Sequence, residues 1–237
     1  MAGLTTGGPN VDVSLLYEIN GLARQAPGWL DRTVAVLGEY GILLALVLLV
    51  LWCWRGARRQ DETAAVETFT ALVWAPLAAS AALLLNIPLR EFVGRPRPAA
   101  QHGGVEVLEP GAGLGHSAFS FVSDHATLAM ALGVGLFVAH RRIGSIGIGL
   151  ALAEGFTRIY MGLHYPTDVI GGLALGTAVV LLLAPLAMAL LTPVVRAVAR
   201  SPRLGVLVRA RERVVARPVD LAAAGPSARE QESDLAA

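Results

Sequence analysis

The sequence predicts an all-α integral membrane protein, built as a bundle of five transmembrane helices with an N-terminal interfacial amphipathic helix. Of its 237 residues, 54% are hydrophobic and only 16% are charged, whereas charged residues make up ~25% of a soluble domain. Several long apolar segments follow one another along the chain. The formal net charge of +1 gives no broad basic surface, so no nucleic-acid partner is expected. The expected partner is the membrane bilayer.

Apolar length places the spans, because a helix needs ~20 residues to cross the hydrocarbon core. This criterion predicts five spans, at about 33–54, 64–87, 123–140, 143–160 and 167–191. The glycines of the last three spans are interpreted as close-packing positions between helices. Before the spans, apolar residues of the segment 11–25 recur at helical spacing. They predict an amphipathic helix, which lies in the membrane interface or packs on the protein.

The two ends of the chain differ from its middle. Residues 1–28 form an N-terminal segment with the amphipathic helix, and residues 29–192 form the transmembrane domain. Residues 193–237 are predicted to be a basic cytoplasmic tail, because Pro193 and Pro202 are expected to break the last helix. The part from 204 to 216 is a basic amphipathic stretch, which binds anionic lipid headgroups or is a solvated helix. The end of the tail is expected to be disordered.

Clusters of arginine predict the orientation, because arginine and lysine accumulate on the cytoplasmic side of membrane proteins. Such clusters follow the first span, separate the third from the fourth, and follow the fifth. They are Arg55, Arg58 and Arg59; Arg141 and Arg142; and Arg196, Arg200 and Arg203. Five spans place all three clusters on one side, which is therefore taken as the cytoplasm. The loop 88–122 and the residues around His164 then lie on the extracytoplasmic side.

Three short strings carry arginine or histidine at the predicted extracytoplasmic ends of the spans. They occupy residues 90–98, 123–125 and 158–168. Cationic side chains at a membrane edge are costly without a partner, and the phosphate group of a lipid is a natural partner. Arginine suits this task because its planar fork binds two phosphate oxygens at once.

The first two strings are expected to meet at an anion. Pro88 kinks or closes the second span just before Arg90, so Arg90 and Arg97 can point into one pocket from a helix end and a rigid turn. At the start of the second string, Ser123 or Asp124 is expected to cap the third span. Backbone N–H groups at a helix start attract anions, and His125 lies beside them. Taken alone, the first string is better explained as a headgroup anchor, and His125 could be an interfacial histidine without a catalytic part.

The third string predicts a nucleophile. Arg158 closes the fourth span, and Pro166 suits an early position of the fifth helix. Asp168 then falls in the first turn of that helix, where it can accept a hydrogen bond from His164. Such a bond leaves the other imidazole nitrogen free to act as a nucleophile. A His–Asp contact with only a structural part is the alternative for this string.

Together the strings supply what attack on phosphorus requires. His164 is the expected nucleophile, and His125 is the expected proton donor for the leaving group. The three arginines neutralise charge on the equatorial phosphate oxygens, so no metal and no cofactor are expected. These arginines are Arg90, Arg97 and Arg158.

In their spacing, the three strings resemble the signature motifs of the type 2 phosphatidic acid phosphatase (PAP2) superfamily. The matching patterns are Arg90-x6-Arg97-Pro98, Ser123-x-His125 and Arg158-x5-His164-x3-Asp168. The usual first motif begins with lysine where this chain has Arg90. The usual second motif has glycine where this chain has Asp124. The Ser-Asp-His form resembles the branch that hydrolyses undecaprenyl diphosphate, a bacterial cell-wall carrier lipid, as do the segments 17–20 and 37–40.

The resemblance implies a metal-independent lipid phosphatase in the bacterial inner membrane, with an extracytoplasmic active site. It implies a phosphohistidine intermediate at His164, which water hydrolyses with His125 as acid and then as base. Ser123 would help to hold the phosphate, and Asp124 would keep its backbone N–H there while adding a carboxylate. A phosphatase for phosphatidic acid or phosphatidylglycerophosphate is the alternative enzyme. A transporter or scaffold that binds lipid headgroups without turnover is the alternative of another class.

Two carboxylates lie near these strings. Glu154 is one helical turn before Arg158, and we expect a salt bridge that aims the arginine, with simple solvation at the helix end as the alternative. Glu39, near the start of the first span, lines the site or reaches the interface. His102 and His116 receive no role.

Overall fold

A computed structural model describes residues 10–108 and 118–209. Within these ranges the chain forms helices and no β-strand, which confirms the all-α prediction. The helices are α1 (Val11–Gln25), α2 (Gly28–Val36), α3 (Ile42–Ala57), α4 (Glu62–Val93), α5 (Pro98–Gln101), α6 (Asp124–Ala139), α7 (Arg141–Tyr160), α8 (Pro166–Arg200) and α9 (Gly205–Val208). One π-helical turn, Leu37–Gly41, connects α2 to α3, so that residues 28–57 form a continuous helix.

Three helices in the described part of the chain are long and apolar enough to cross a membrane. They are Gly28–Ala57, Glu62–Val93 and Pro166–Arg200. The remaining two predicted spans also coincide with helices, but α6 has only 16 residues and α7 contains four glycines. The protein is therefore an integral membrane protein, and crossing of the bilayer by α6 and α7 stays a prediction.

Glycine ends α4. The helix continues through Pro88 to Val93, and the next residue, Gly94, has a φ of 59° while its N–H donates to the Arg90 carbonyl. The left-handed conformation suits glycine, which has no Cβ to clash. Of the two predicted effects of Pro88, a kink or the end of the helix, the second is wrong. A proline costs one backbone hydrogen bond, whereas leaving the helix inside a membrane exposes several backbone groups. As a result, Arg90 lies in the last turn of α4.

Proline does not end α8 at the predicted place either. The helix passes through Pro193 and ends at Arg200, so the break expected at Pro193 is wrong. The end falls two residues before Pro202, because the residue that precedes a proline disfavours the α conformation. Of the predicted basic stretch 204–216, the structure describes only the first six residues, and the rest lies outside the described ranges.

Small residues let the helices α4, α6, α7 and α8 approach closely. Alanines of α4 and α6 lie with Val179 and Val180 of α8 in the largest apolar cluster. A Cβ added to Gly135 would lie 2.4 Å from the Ala75 Cβ, and one added to Gly176 would lie 2.5 Å from the Thr127 carbonyl oxygen. These distances confirm that glycines in this region are close-packing positions.

The arginine clusters lie at one end of the bundle. Trp54, at the end of α3, donates a hydrogen bond to the Leu207 carbonyl, and Arg209 pairs with Glu62 at the start of α4. The turn between α6 and α7 packs near Trp54 in the same apolar cluster. Because the helices alternate in direction, the three predicted strings lie at the opposite end.

The first helix packs on the protein. Leu16 of α1 is fully buried against Ile159, Tyr165 and Val169. Asn20 is also buried and donates to the carbonyls of Tyr160 and Glu106 at 2.8 and 2.7 Å. Helix α1 therefore helps to build the end of the bundle that holds the three strings, and an amphipathic helix in the membrane interface stays a prediction.

Candidate active site

His164 lies in the loop between α7 and α8 and is 7% exposed. Its Nδ1 is 2.8 Å from the backbone carbonyl oxygen of Ser120. A carbonyl oxygen only accepts, so Nδ1 carries the hydrogen and Nε2 carries the lone pair. The imidazole is thus held in the tautomer that a nucleophile requires.

The predicted hydrogen bond between His164 and Asp168 is absent, because the nearest Asp168 carboxylate oxygen is 3.9 Å from Nδ1. The carboxylate instead accepts from the Tyr165 backbone N–H at 2.9 Å, which caps α8. Its side chain also hydrogen-bonds to Ser120. Asp168 does lie in the first turn of α8, after Pro166 in the first position, as predicted. Asp168 therefore bonds to Ser120, the residue whose carbonyl holds the imidazole, and does not bond to the imidazole itself.

His164 stays neutral in this environment. Burial holds the pKa of His164 well below its usual value, and the positive charge of Arg97 lowers that pKa further. The positive charges of Arg158 and His125 lower the pKa of His164 in the same direction, so both side chains act on this imidazole. Residues of all three strings thus gather around one imidazole, whose lone pair remains unprotonated at neutral pH.

Arg158 is 1% exposed and is held on three sides. Its Nε donates to Glu154 at 2.8 Å, Nη1 donates to Glu39 at 2.9 Å, and Nη2 donates to the Gly38 carbonyl. The predicted salt bridge with Glu154 is therefore present. A guanidinium has five N–H donors, so two remain for a phosphate.

Arg90 meets the carboxylate of Asp124. Its Nη2 forms an ion pair with Asp124, and its Nε is buried without a hydrogen-bond partner in the described part of the chain. Asn86, one turn earlier on α4, donates to the same carboxylate at 2.6 Å and to the Val122 carbonyl at 3.0 Å. The start of α6 is thereby fixed to the end of α4, with Asp124 balancing the charge of Arg90.

The remaining predicted residues lie close by. Ser123 caps α6 as expected, since its hydroxyl accepts from the Ala126 N–H at 3.4 Å. His125 lies in the first turn of α6, and its Nε2 is 3.8 Å from a Glu39 carboxylate oxygen. Arg97 donates to the Leu163 carbonyl at 3.4 Å, next to His164. His102 contacts the rings of Tyr17 and Tyr165, and His116 lies outside the described residues.

Arg95 is a central residue that the sequence analysis missed. Its guanidinium lies 3.6 Å above the Tyr165 ring centre and donates to Asp168 and Thr167 at 2.9 and 2.7 Å. Its other nitrogen forms an ion pair with Asp12 of α1. The only signal in the sequence was its place within the first string, two residues before Arg97.

The bond network of Asp12 predicts how α1 is held at different pH values. Burial alone would raise the pKa of Asp12, but hydrogen bonds from Arg95 and Thr167 bring it below the usual value of 3.8. A carboxyl group with a lowered pKa stabilises the fold above its usual pKa and loses this effect as the pH falls through its folded value. We expect Asp12→Asn to lower the Tm by about 2–4 °C at pH 7.

The Tm difference between wild type and Asp12→Asn should persist from pH 7 to pH 5 and vanish in more acidic solution, as followed by tryptophan fluorescence in detergent. Asp61→Asn is the matched control, because Asp61 caps α4 at the other end of the bundle and asparagine caps a helix equally well. An equal Tm for wild type and Asp12→Asn at pH 7 would contradict the assigned network.

A cleft of about 490 Å³ opens beside Arg90 and Asp124. Its other lining residues belong to α4 and are Ser80, Leu83, Leu84 and Ile87. Leu84 and Ile87 are 66% and 54% exposed, on a helix that is long and apolar enough to cross a membrane. The cleft therefore joins the lipid-facing surface to a charged end.

The described ranges hold no group of three or more His, Cys, Asp or Glu side chains that could bind a metal ion.

Comparison with known proteins places the middle of this chain in one family. The sequence profile of the PAP2 superfamily matches residues 71–191, about half of the chain. Undecaprenyl-diphosphatase BcrC of Bacillus subtilis (strain 168) is 32% identical over 146 residues, which cover 61% of this chain and 68% of that protein. YbjG of Escherichia coli (strain K12), provisionally named an undecaprenyl-diphosphatase, is 26% identical over 169 residues, covering 70% and 78%.

A solved structure has a similar fold. The transmembrane PAP2-type phosphatidylglycerolphosphate phosphatase of Bacillus subtilis superposes with a TM-score of 0.52 at 23% identity. The superposition covers 76% of this chain and 88% of that one. At this level of identity the similarity concerns the fold alone.

Proposed function

This chain belongs to the PAP2 superfamily of membrane lipid phosphatases, and on that premise we propose that it hydrolyses a polyprenyl diphosphate, undecaprenyl diphosphate, to the monophosphate. The observation that carries the proposal is the state of His164. Its Nδ1 is fixed on the Ser120 carbonyl, its Nε2 is left as a nucleophile, and arginines of two strings lie around it. A scaffold that only binds headgroups does not require a neutral imidazole, such as that of His164, held in one orientation among cationic side chains.

In the proposed first step, the Nε2 lone pair of His164 attacks the terminal phosphorus. An N–P bond forms while the bond from phosphorus to the bridging oxygen breaks, and that oxygen receives the electron pair. His125 donates a proton to the bridging oxygen, which leaves as the lipid monophosphate. Arg90, Arg97 and Arg158 neutralise the equatorial oxygens, and the start of α6 at Ser123 and Asp124 supplies backbone N–H donors.

In the second step, water hydrolyses the phosphohistidine. His125, now neutral, accepts a proton from the water, whose oxygen forms a bond with phosphorus. The N–P bond breaks, its electron pair returns to Nε2, and inorganic phosphate leaves. Asp168 supports both steps by fixing Ser120 and Arg95, and Glu154 supports them by aiming Arg158. No metal takes part in this mechanism.

The cleft on α4 supports a lipid substrate with a second phosphate. A lipid chain can lie against Leu83, Leu84 and Ile87, and the cleft then leads to Arg90 and Asp124. Arg90 at the end of the cleft can then neutralise the terminal phosphate, while the phosphate next to the lipid chain lies nearer to the apolar part of the cleft. Asp124 balances part of the Arg90 charge. The similarity to BcrC supports the same substrate.

We propose five bilayer crossings, with α6 and α7 crossing beside α4 and α8, in a bacterial inner membrane. Most arginines outside the three strings then lie on the cytoplasmic side, as the positive-inside rule requires. The active site faces the extracytoplasmic side, where a cell-wall carrier lipid would be recycled.

Phosphate release from purified lipids in detergent with EDTA tests the function. We expect turnover of undecaprenyl diphosphate at a kcat/KM at least about tenfold above those of phosphatidic acid and phosphatidylglycerophosphate, a difference of ~1.4 kcal/mol. A preference for either of the other two lipids would replace the proposed substrate. Strict dependence on added divalent metal would contradict the mechanism, and binding without phosphate release from any lipid would favour a transporter or scaffold.

A further inference from the structure

We propose that Glu39 is a positioning residue of this site, which fixes the guanidinium of Arg158 and holds His125 in its proton-donating form. The inference rests on the proposed phosphatase function and adds a residue that lies outside the three strings. Glu39 lies in the π-helical turn Leu37–Gly41 between α2 and α3. Such turns are rare and recur at functional sites, because they redirect side chains within a continuous helix.

The π turn is pressed against the end of α7. A Cβ added to Gly38 would lie 2.6 Å from the Thr157 hydroxyl oxygen and 3.4 Å from the Met161 sulfur. This approach allows the Gly38 carbonyl to accept from Arg158 and places the Glu39 carboxylate inside the bundle. Gly38 thus allows the close approach of the π turn to α7, and Glu39 contributes the negative charge that binds Arg158.

Glu39 faces two members of the proposed machinery at once. One carboxylate oxygen, Oε2, accepts from Arg158 at 2.9 Å, and the other, Oε1, is 3.8 Å from the His125 Nε2. The Glu39 side chain is 19% exposed, so water screens these interactions only in part. A single carboxylate therefore sets the distance between the phosphate-binding arginine and the proton donor.

The negative charge of Glu39 is opposite in sign to the charge of the neighbouring Arg158 and to that of a protonated His125. Glu39 of the π turn lies 3.8 Å from the His125 Nε2 and also holds Arg158 of α7. The charge of His125 acts on His164 in the loop before α8, and Asp124 is the neighbour of His125 on α6. The cations disfavour a protonated imidazole at 125, whereas a carboxylate within 4 Å favours it. The negative charge of Glu39 therefore keeps a proton on His125 in a site that is otherwise crowded with cations.

The need for this proton depends on the leaving group. When a phosphate monoester of an alcohol is cleaved, the departing oxygen is strongly basic and must be protonated. When a diphosphate is cleaved, the departing oxygen belongs to a phosphate, whose second pKa is ~6, so that protonation helps less. Loss of the Glu39 charge should therefore damage the cleavage of phosphatidic acid more than that of a polyprenyl diphosphate.

The test compares Glu39→Gln and Glu39→Asp with wild type in detergent with EDTA. Glutamine keeps an oxygen for the Arg158 hydrogen bond but removes the charge, and aspartate keeps the charge with a shorter reach. The measurement is kcat/KM against pH for undecaprenyl diphosphate and for phosphatidic acid. Glu18→Gln, on the exposed face of α1, is the control for loss of one negative charge elsewhere and should match wild type.

We expect Glu39→Gln to move the alkaline limb of the profile about one pH unit towards acid, since an imidazole without its carboxylate loses its proton at lower pH. Glu39→Asp should leave the limb in place. At the optimum pH, the loss in Glu39→Gln should be several-fold greater with phosphatidic acid than with the diphosphate. An unmoved limb with equal losses for both lipids would overturn the proposal and leave Glu39 a purely structural role. Absence of phosphate release from both lipids in wild type would instead overturn the function on which it rests.

Discussion

Replacing His164 with alanine is expected to lower phosphate release by at least about 10⁴-fold, since loss of a nucleophile removes the covalent route and leaves only charge stabilisation. The buried imidazole is held by one backbone carbonyl and is surrounded by cationic groups. Its loss removes a neutral side chain and leaves the arginines in place. Binding of the lipid phosphate should therefore survive, within a few-fold of wild type.

The measurements are phosphate release and equilibrium binding of the diphosphate lipid to purified protein in detergent. His140→Asn is the matched control, because His140 caps α7 at the opposite end of the bundle through its Nδ1, and asparagine preserves a cap. This variant should retain wild-type turnover. Residual activity of His164→Ala above about one hundredth of wild type would contradict the assignment of the nucleophile.

Replacing Arg158 with methionine is expected to damage both stability and catalysis. The guanidinium is 1% exposed and neutralises Glu154 and Glu39, so its removal leaves buried carboxylates without their partner. Breaking a buried ion pair in this way costs about 3–5 kcal/mol. Phosphate release should also fall by ~10³-fold or more, since a guanidinium that faces the transferring phosphoryl group is lost.

A second substitution separates the two effects. Glu154 is fully buried and bonds to Arg158 through one oxygen, so adding Glu154→Gln to Arg158→Met removes one of the uncompensated charges. The double variant should recover part of the lost Tm and none of the lost turnover. Arg209→Met is the control, because the exposed pair of Arg209 with Glu62 contributes little to stability. Recovery of turnover together with Tm would show that Arg158 acts only on the fold.

Much of this architecture could be predicted from the sequence because its causes are local. Apolar length gives the helices, since backbone groups in a membrane must be satisfied within each segment. The salt bridge of Glu154 with Arg158 follows from a spacing of four residues on one helix. Residue type also predicts a cap at Ser123 or Asp124 and a proline early in α8, and the structure has Ser123 as the cap and Pro166 in the first position.

The residues that were missed depend on contacts between distant parts of the chain. Asp12 and Arg95 are 83 residues apart, and their meeting depends on how α1 packs. The partner of His164 was wrong for a different reason. It is a backbone carbonyl, and every residue has one, so no side chain in the sequence indicates which carbonyl comes close.

The predicted ends of two helices were also wrong, because proline ends a helix more readily in water than in a membrane. A soluble helix that stops at proline gives its free backbone groups to solvent, whereas the membrane offers none. Helix α4 therefore continues through Pro88, and helix α8 continues through Pro193. Only Gly94, which adopts a conformation that other residues avoid, ends α4.

The most direct test of the proposed chemistry is to locate the phosphoryl group on the enzyme during turnover. The protein is mixed with undecaprenyl diphosphate labelled in its terminal phosphate, denatured in alkali to preserve phosphohistidine, and mapped by peptide mass spectrometry. His125→Ala is included because it lacks the base that activates water and should accumulate the intermediate. The account predicts a label on His164, higher in His125→Ala than in wild type and absent from His164→Ala. A label on another residue, or release of labelled phosphate by His164→Ala, would contradict it.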